Sequence, residues 1–456
     1  MKAALIGTPV SHSLSPAIFG FLTGFLAGKT GTSDFHYSAQ EVQPADLLPF
    51  LSEAKANSQS AGLVGFNVTI PHKETVLSLL DQVSVEVKSI GAANVIHCHQ
   101  GKLLGYNTDV LGITRTLEEQ HCLMRDQTAL IWGAGGAARA VAYALGTMGA
   151  KTVYVSNREQ ARAHKLAVEI GTAFPKTSFI ATSDPGAVIH PPHSLLTLLV
   201  NATPVSPPDL QGNELAANSS TLAFDLSYNP EVTSFLEDAS AQGLKTVGGL
   251  DMLIYQALAT WEIWFGPLQR FEETKTALAR HLRSRPIFLT GFMGVGKTTI
   301  GGSLAKKLGW QFVDTDKLIQ EETGLSIPEL FKNKGEPAFR ELEKNMITKV
   351  VSRTKTIVSL GGGALMNPEN LNLIQKSGSL VYLSASAETL IARLGAGTAK
   401  RPLLAGHPEE SAERIRALLE IREPIYNRAR IKIKTDGKTS VEIADRILKL
   451  VPRERA

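Results

Sequence analysis

Cysteine is scarce: Cys98 and Cys122 are the only two in the chain. Two thiols with no metal-ligand spacing between them exclude a disulfide scaffold and a cysteine-held metal. They fit reduced thiols in the cytoplasm. Long apolar runs are also missing. None approaches the roughly 20 residues of a membrane helix. The opening stretch, MKAALIGTPVSHSLSP, lacks the apolar core and cleavage site of a signal peptide. The expectation is a cytoplasmic protein with no membrane partner. Strong charge is lacking as well. A net charge of +4 over 456 residues argues against nucleic acid and leaves a few basic groups for small anions. There is no fixed-period repeat and no low-complexity segment. With 43% hydrophobic and 20% charged residues the chain is an ordinary globular one. Its length suits about three compact domains.

Short apolar runs alternate with helical patterns. KAALIG, GLVGFNVTI, TALIWG, TVYVSN, LLTLLVNA and LAFDLS read as strands. AIFGFLTGFLAG, VLGITRTLEEQ, AARAVAYALGTMG and DMLIYQALATWEIWFG read as helices. This alternation predicts parallel α/β layers. The charged stretch LQRFEETKTALARHLRSR then ends one unit and tethers another. After it, PIFLTGF, FVDTDKLIQ, IVSLGGG and SLVYLSAS read as a second set of strands, and SVEIADRILKLV as a closing helix.

The phosphate-cradling pattern G-x-x-x-x-G-K-T runs from Gly291 to Thr298, between an apolar strand and a helical run. Its backbone N–H groups, from Gly294 through Val295, Gly296, Lys297, Thr298 and Thr299, would converge on phosphate oxygens. Lys297 would neutralise the β- and γ-phosphates, and the Thr298 hydroxyl would bind Mg²⁺. An ordinary Gly-rich turn is the bland alternative. Asp314 and Asp316 stand two apart at a strand end and are expected on one face. One would reach the metal shell, the role given to Asp314, and the other a substrate hydroxyl. Otherwise they are solvated acids capping the next helix. Gly361, Gly362 and Gly363 follow a strand, where backbone can approach a ligand. Arg340, Arg401 and Arg422 suit a ligand with a carboxylate and a transferring phosphoryl group, Arg401 in a lid-like segment.

In the first part, Gly133, Gly135 and Ala138 fit the dinucleotide fingerprint G-x-G-x-x-A between strand and helix, with Ala134, Gly136 and Ala137 in the same turn. The next strand ends in Asn157-Arg158, with Arg162 one turn on. An NAD site would carry an acid there; arginines suit a 2′-phosphate, hence NADP. The alternative for Arg158 is a surface residue at a helix start. Ser15 reads as an N-cap before Pro16, which leaves Ser13 unexplained. Lys73 and Asp109 would form a proton-transfer pair for hydride chemistry. Their bland readings are a solvated lysine and a helix cap.

GFMGVGKTTIG, FVDTDKLI, AFRELE, SLGGGA, RPLL and IREPIYNRA resemble shikimate kinase, in that family's order, over about residues 284–456. The resemblance implies a P-loop kinase with a five-stranded parallel sheet and ATP-dependent phosphorylation of the shikimate 3-hydroxyl. Asp316, Arg340 and Arg422 would hold shikimate beside the three glycines. Asp316 is the candidate base, and Arg401 would close over the transferring phosphate. The lid lacks the extra arginine often found before RPLL.

GTPVSHSLSP, GFNVTIPHK, GAANV, GYNTD, GAGGAARA, SNRE, NATP, DLSYNP and GGLDMLIYQA resemble shikimate dehydrogenase over about residues 1–270. That implies two α/β domains around a cleft and reduction of 3-dehydroshikimate by NADPH, with Lys73 as proton donor and Asp109 orienting it. Ser13, Ser15, Thr69, Asn94, Asp109 and Gln256 align with substrate contacts. Tyr228 and Gly249 lie where substrate meets nicotinamide. The chain departs from the pattern at Val95, Ser206 and Asp251, away from the proposed chemistry.

The expected organisation is a substrate domain over 1–105 with returning helices at 249–270, and an NADP-binding Rossmann domain over 106–248. A linker over 271–284 and a kinase domain over 285–456 follow. The cofactors are NADPH, ATP and Mg²⁺; the partners are 3-dehydroshikimate and shikimate, with a homo-oligomer left open. Two other readings stand beside this one. One is a non-catalytic sensor of quinate or shikimate; the other is one active half with a pseudoenzyme partner. The presence of Lys73, Asp109, Lys297 and Asp316 favours two working enzymes.

Overall fold

The computed structural model describes residues 1–10, 13–27, 32, 34–57, 62–189, 196–205, 207, 220–394 and 408–451. Arg401 lies outside the described residues, as does Ser206. The chain divides into two compact units, Met1–Arg280 and His281–Ala456.

The first unit holds two sheets. Sheet one contains β1 (Lys2–Gly7), β2 (His36–Glu41), β3 (Leu63–Val68), β4 (Gln82–Val83), β5 (Val95–His99) and β6 (Lys102–Tyr106), in the order β2-β1-β3-β5-β6-β4. The expectation of purely parallel layers fails here. β5 pairs antiparallel with both β3 and β6. The two-residue connection Gln100-Gly101 between β5 and β6 allows only a hairpin, because a parallel crossover needs about a dozen residues. Gln100 and Gly101 have φ of 51° and 74°, the left-handed values of a tight hairpin turn. The core on one side of this sheet gathers Ile6, Phe66, Val68, Val87 and Ile96.

Sheet two contains β7 (Thr128–Trp132), β8 (Thr152–Ser156), β9 (Ser178–Thr182), β10 (Leu196–Asn201), β11 (Leu222–Asp225) and β12 (Lys245–Val247). Its order is β12-β11-β10-β7-β8-β9 and its pairings are parallel. Central strands buried on both faces explain the continuous apolar runs ALIW and LLV. The chain turns back between β7 and β10, and ligands of such sheets bind at that reversal. The helix Leu250–Phe265 returns to sheet one, where Trp264 Nε1 donates to Ile96 O at 3.2 Å.

The segment expected as a tether is mostly a helix, Phe271–Arg283. Lys275 on it meets Tyr255 OH at 2.7 Å and pairs with Glu119. Its charged composition hid a one-sided apolar face, which Leu278 and Leu282 bury.

The second unit is built on β13 (Ile287–Thr290), β14 (Gln311–Asp314), β15 (Thr356–Ser359), β16 (Ser379–Ser384) and β17 (Ile431–Lys434), in the order β14-β15-β13-β16-β17. All pairings are parallel, as expected for five strands. FVDTDKLIQ is not one strand. β14 stops at Asp314, whose carboxylate accepts from the N–H groups of Asp316 and Lys317 and starts the helix Thr315–Thr323. The strand argument that put Asp314 and Asp316 on one face is therefore corrected: the first is an N-cap and the second lies in the first helical turn.

Candidate functional sites

In the first unit, Lys73 sits in the short helix His72–Thr75 just after β3, and Asp109 opens the helix Asp109–Glu119 just after β6. Lys73 Nζ donates to Asp109 Oδ2 at 2.6 Å, with the side chains 16% and 6% exposed. The lysine is thus mostly buried in an ion pair, and the aspartate is the first helical residue rather than the cap, which is Thr108. Asn94 Nδ2 donates to Asp109 Oδ1 at 2.8 Å and to Thr108 Oγ1 at 3.0 Å, while Thr108 N donates back to Asn94 Oδ1 at 2.7 Å. Asp109 is thus held through both oxygens.

A chain of polar contacts continues from there. Thr108 Oγ1 lies 3.2 Å from Thr260 Oγ1, and Asn67 Nδ2 donates to Thr260 Oγ1 at 3.4 Å. Tyr37 OH donates to Asn67 Oδ1 at 2.8 Å. Gln256, one turn before Thr260, is buried; its Oε1 lies 3.5 Å from Thr108 Oγ1. Burial pushes the Tyr37 hydroxyl well above the ordinary tyrosine range; a hydrogen bond with Ser15 acts the other way, and Tyr228 adds to the rise.

Ser15 is not the N-cap. Its helix runs Ser15–Leu26, and Ser13 Oγ accepts from Ser15 N at 3.1 Å. The N-cap is Leu14, which offers no side-chain cap, and Ser13 meets the first helical N–H from one residue before it. Thr69 follows β3 half-buried, and its hydroxyl has no protein hydrogen bond among the described residues. Gly249 precedes the helix Leu250–Phe265 and donates to Ser227 O at 3.0 Å. Asp225, at the end of β11, accepts from Asn201 Nδ2, Thr233 Oγ1 and Ser227 N at 3.0, 2.6 and 2.9 Å. It ties the end of β10 to the loop after β11.

The dinucleotide turn follows β7. Gly133 has φ of 116°, which side chains rarely adopt. Gly135 enters the helix Gly136–Thr147 with no side-chain cap, so Gly136, Ala137 and Ala138 present a free helix N-terminus suited to a pyrophosphate. Ala134 is buried in the turn. A Cβ built on Gly136 would lie 2.8 Å from Lys73 Cβ, so the turn abuts the catalytic-type lysine. Asn157 Nδ2 donates to Glu159 O at 3.1 Å, shaping the loop after β8. Arg158 is exposed and forms no ion pair among the described residues. Arg162 Nη2 meets Glu74 Oε1 at 3.2 Å.

In the second unit the loop after β13 has Gly294 and Gly296 at φ of 81° and 99°. Val295 is buried beneath it, and Lys297, Thr298 and Thr299 open the helix Lys297–Leu308. Lys297 Nζ donates to the carbonyls of Gly291 and Phe292 at 2.8 and 3.2 Å. Thr298 Oγ1 donates to Asp314 Oδ2 at 3.1 Å. This hydroxyl–carboxylate pair at a phosphate loop fits Mg²⁺, a hard cation that takes oxygen ligands.

Beside the loop, Gly361 is walled in. A Cβ on it would lie 2.7 Å from Asp316 Oδ1 and 2.7 Å from Glu343 Oε1. Arg340 Nη1 donates to Glu343 Oε2 at 2.9 Å, and its guanidinium lies against Gly363. Arg422, 5% exposed, donates to Gly362 O at 3.3 Å. Tyr426, one turn on, donates to the same carbonyl. Asp316, Arg340, Arg422 and the three glycines therefore form one cluster. Burial pushes the Glu343 carboxyl up; Arg340 pulls it down and Asp316 pushes it up further.

Sequence reading missed Tyr37, Thr108, Thr260, Asp225, Glu343 and Tyr426. Thr260 could have been found from its i+4 spacing to Gln256, and Tyr426 from its i+4 spacing to Arg422. Nothing local marks Tyr37, because β2 reaches the site only through sheet pairing.

Three family models match. Residues 5–96 match the shikimate dehydrogenase substrate binding domain, residues 116–246 shikimate / quinate 5-dehydrogenase, and residues 293–452 shikimate kinase. The chain is similar to the NADP(+)-type shikimate dehydrogenase of Symbiobacterium thermophilum, at 37% identity over 62% of this chain and 95% of that protein. The Methanopyrus kandleri shikimate dehydrogenase is 37% identical over 61% and 95%. Among solved structures, shikimate dehydrogenase from Aquifex aeolicus matches with a TM-score of 0.52 at 32% identity, over 61% of this chain and 97% of that one. The enzyme of Thermus thermophilus, in complex with NADP(H) and shikimate, matches with a TM-score of 0.51 at 35% identity, over 62% and 100%. By this breadth of match the chain belongs to the shikimate dehydrogenase family, and a shikimate kinase domain follows the dehydrogenase within it.

Proposed function

We propose that the chain catalyses two consecutive steps: NADPH-dependent reduction of 3-dehydroshikimate to shikimate, then ATP-dependent phosphorylation of the shikimate 3-hydroxyl. When bound, NADPH supplies the hydride and ATP with Mg²⁺ the phosphoryl group. Lys73 donates a proton to the alkoxide oxygen that forms at the reduced carbonyl, and Asp109 orients the ammonium. Asn94, holding the other Asp109 oxygen, keeps the lysine aimed in one direction. Ser13, Ser15, Thr69, Tyr228, Gly249 and Gln256 surround the substrate. Gly133 to Ala137 hold the pyrophosphate, with Asn157, Arg158 and Arg162 around the 2′-phosphate.

In the second step Asp316 accepts the 3-hydroxyl proton, and Arg340 and Arg422 bind the shikimate carboxylate beside Gly361, Gly362 and Gly363. Gly294 to Thr299 cradle the phosphates. Lys297, which bonds the loop carbonyls of Gly291 and Phe292, would neutralise phosphate oxygens, Thr298 and Asp314 would hold Mg²⁺, and Arg401 would serve the transferring phosphate. The proposed domains are 1–105 with 249–270, 106–248 and 285–456, in a cytoplasmic protein.

The observation that carries this reading is the Lys73–Asp109 contact at 2.6 Å, set against the dinucleotide turn. The test is a coupled assay on the purified chain. 3-Dehydroshikimate with NADPH should consume absorbance, and adding MgATP should then yield shikimate 3-phosphate. Lys73→Ala should lower reduction at least about 100-fold and spare phosphorylation of added shikimate; Lys297→Ala should do the reverse. Shikimate binding with neither reaction would replace this reading with the sensor.

A further inference from the structure

Lys73 and Glu74 are neighbours in one short helix and face different ligands. Lys73 meets Asp109 at 2.6 Å, on the substrate side. Glu74 meets Arg162 Nη2 at 3.2 Å, on the cofactor side. The Arg162 guanidinium lies over the dinucleotide turn, 3.9 Å from a Cβ built on Gly135. Of the two arginines that suit a 2′-phosphate, Arg158 is therefore open to an anion and Arg162 already has one. That anion is a carboxylate on the lobe that carries the catalytic lysine.

We propose that Glu74 competes with the 2′-phosphate of NADPH for Arg162, and so sets how strongly the site prefers NADPH over NADH. The inference rests on the reading of Arg162 as a 2′-phosphate ligand. The side chains are 47% and 37% exposed, so the pair is solvated and exchangeable rather than locked. A phosphate dianion binds the guanidinium fork more strongly than a carboxylate does. NADPH thus wins the exchange, but it must first displace Glu74, whose charge then stands beside the phosphate. NADH has no such group and leaves the Glu74–Arg162 pair undisturbed.

The test measures dissociation constants for NADPH and NADH on the full chain by nucleotide fluorescence. The variants are Glu74→Gln, Arg162→Gln and the double variant. An exposed pair predicts that Glu74→Gln tightens NADPH about two- to fivefold. NADH affinity should not move, which also reports an intact Rossmann domain. In the Arg162→Gln background the same change should have no effect on NADPH. The proposal is overturned if Glu74→Gln leaves NADPH affinity unchanged. It also falls if NADH tightens equally, or if NADPH tightens without Arg162. If Arg162→Gln leaves the NADPH-to-NADH ratio unaltered, the phosphate-ligand reading itself is wrong.

Discussion

Glu343 shows how far a single carboxylate can be drawn from its ordinary behaviour by its surroundings. It is 1% exposed and shares the kinase cluster with Arg340, Asp316 and Arg422. Burial outweighs the arginine, so its pKa lies above the ordinary glutamate value of 4.5. For a group raised in the folded state, the associated stability is fully present below the unfolded pKa. It is lost as pH rises through the folded pKa. Relative to Glu343→Gln, the wild-type chain should therefore lose stability as pH climbs from about 4.5 through the raised pKa. Paired thermal melts across that range check this; a difference that stays flat with pH would rule it out. The residue is also instructive about legibility. AFRELE pointed to Arg340, but only the fold shows that the glutamate three residues on turns into the same cluster.

At the scale of elements, two loops carry most of the chemistry and depend on close backbone approach. Gly361 follows β15, and any side chain there would push Asp316 and Glu343 from their places. Gly361→Ala should cut kcat/KM for shikimate about 10- to 100-fold, because displacements near 1 Å cost that much. Dehydrogenase activity should be unchanged, since Gly361 belongs to the other unit. Steady-state kinetics with shikimate as the varied substrate decide it; an unaffected kcat/KM would show that the cluster tolerates the added methyl. The phosphate loop was legible because strand, glycines, lysine and helix are contiguous. FVDTDKLIQ was misread as a strand because apolar pairs, Phe312-Val313 and Leu318-Ile319, flank Asp314 on both sides. Its carboxylate bonds to two backbone N–H groups and switches the chain to helix there.

For the whole molecule, the division at Arg280 and His281 falls inside the helix Phe271–Arg283. Lys275 fastens that helix to the first unit, whereas Ser284 O accepts from Lys355 N in the second at 2.7 Å. Separate proteins covering residues 1–283 and 284–456 should therefore each fold. Each should keep its own activity within about twofold of the fused chain. Turnover numbers of the halves against the whole test this, and loss of either activity would show that the units depend on one another. What fusion adds is fixed stoichiometry and a raised local concentration of the shared intermediate.

Contiguous signals were determined by the sequence alone: the phosphate loop, the dinucleotide turn, the arginine-bearing strand end after it, and the order of two enzymes along the chain. Each is a local backbone geometry whose requirements are met within about ten residues. The tertiary structure decided what depends on distant segments meeting. It set Lys73 against Asp109 across 36 positions, and brought Tyr37 and Thr260 into one polar chain through Asn67. It turned β5 antiparallel, and it gave Arg162 to Glu74 across 88 positions. Those pairings follow from sheet order and helix packing, where burial must be satisfied by whichever segment arrives. That information is spread over the whole chain, and no motif contains it.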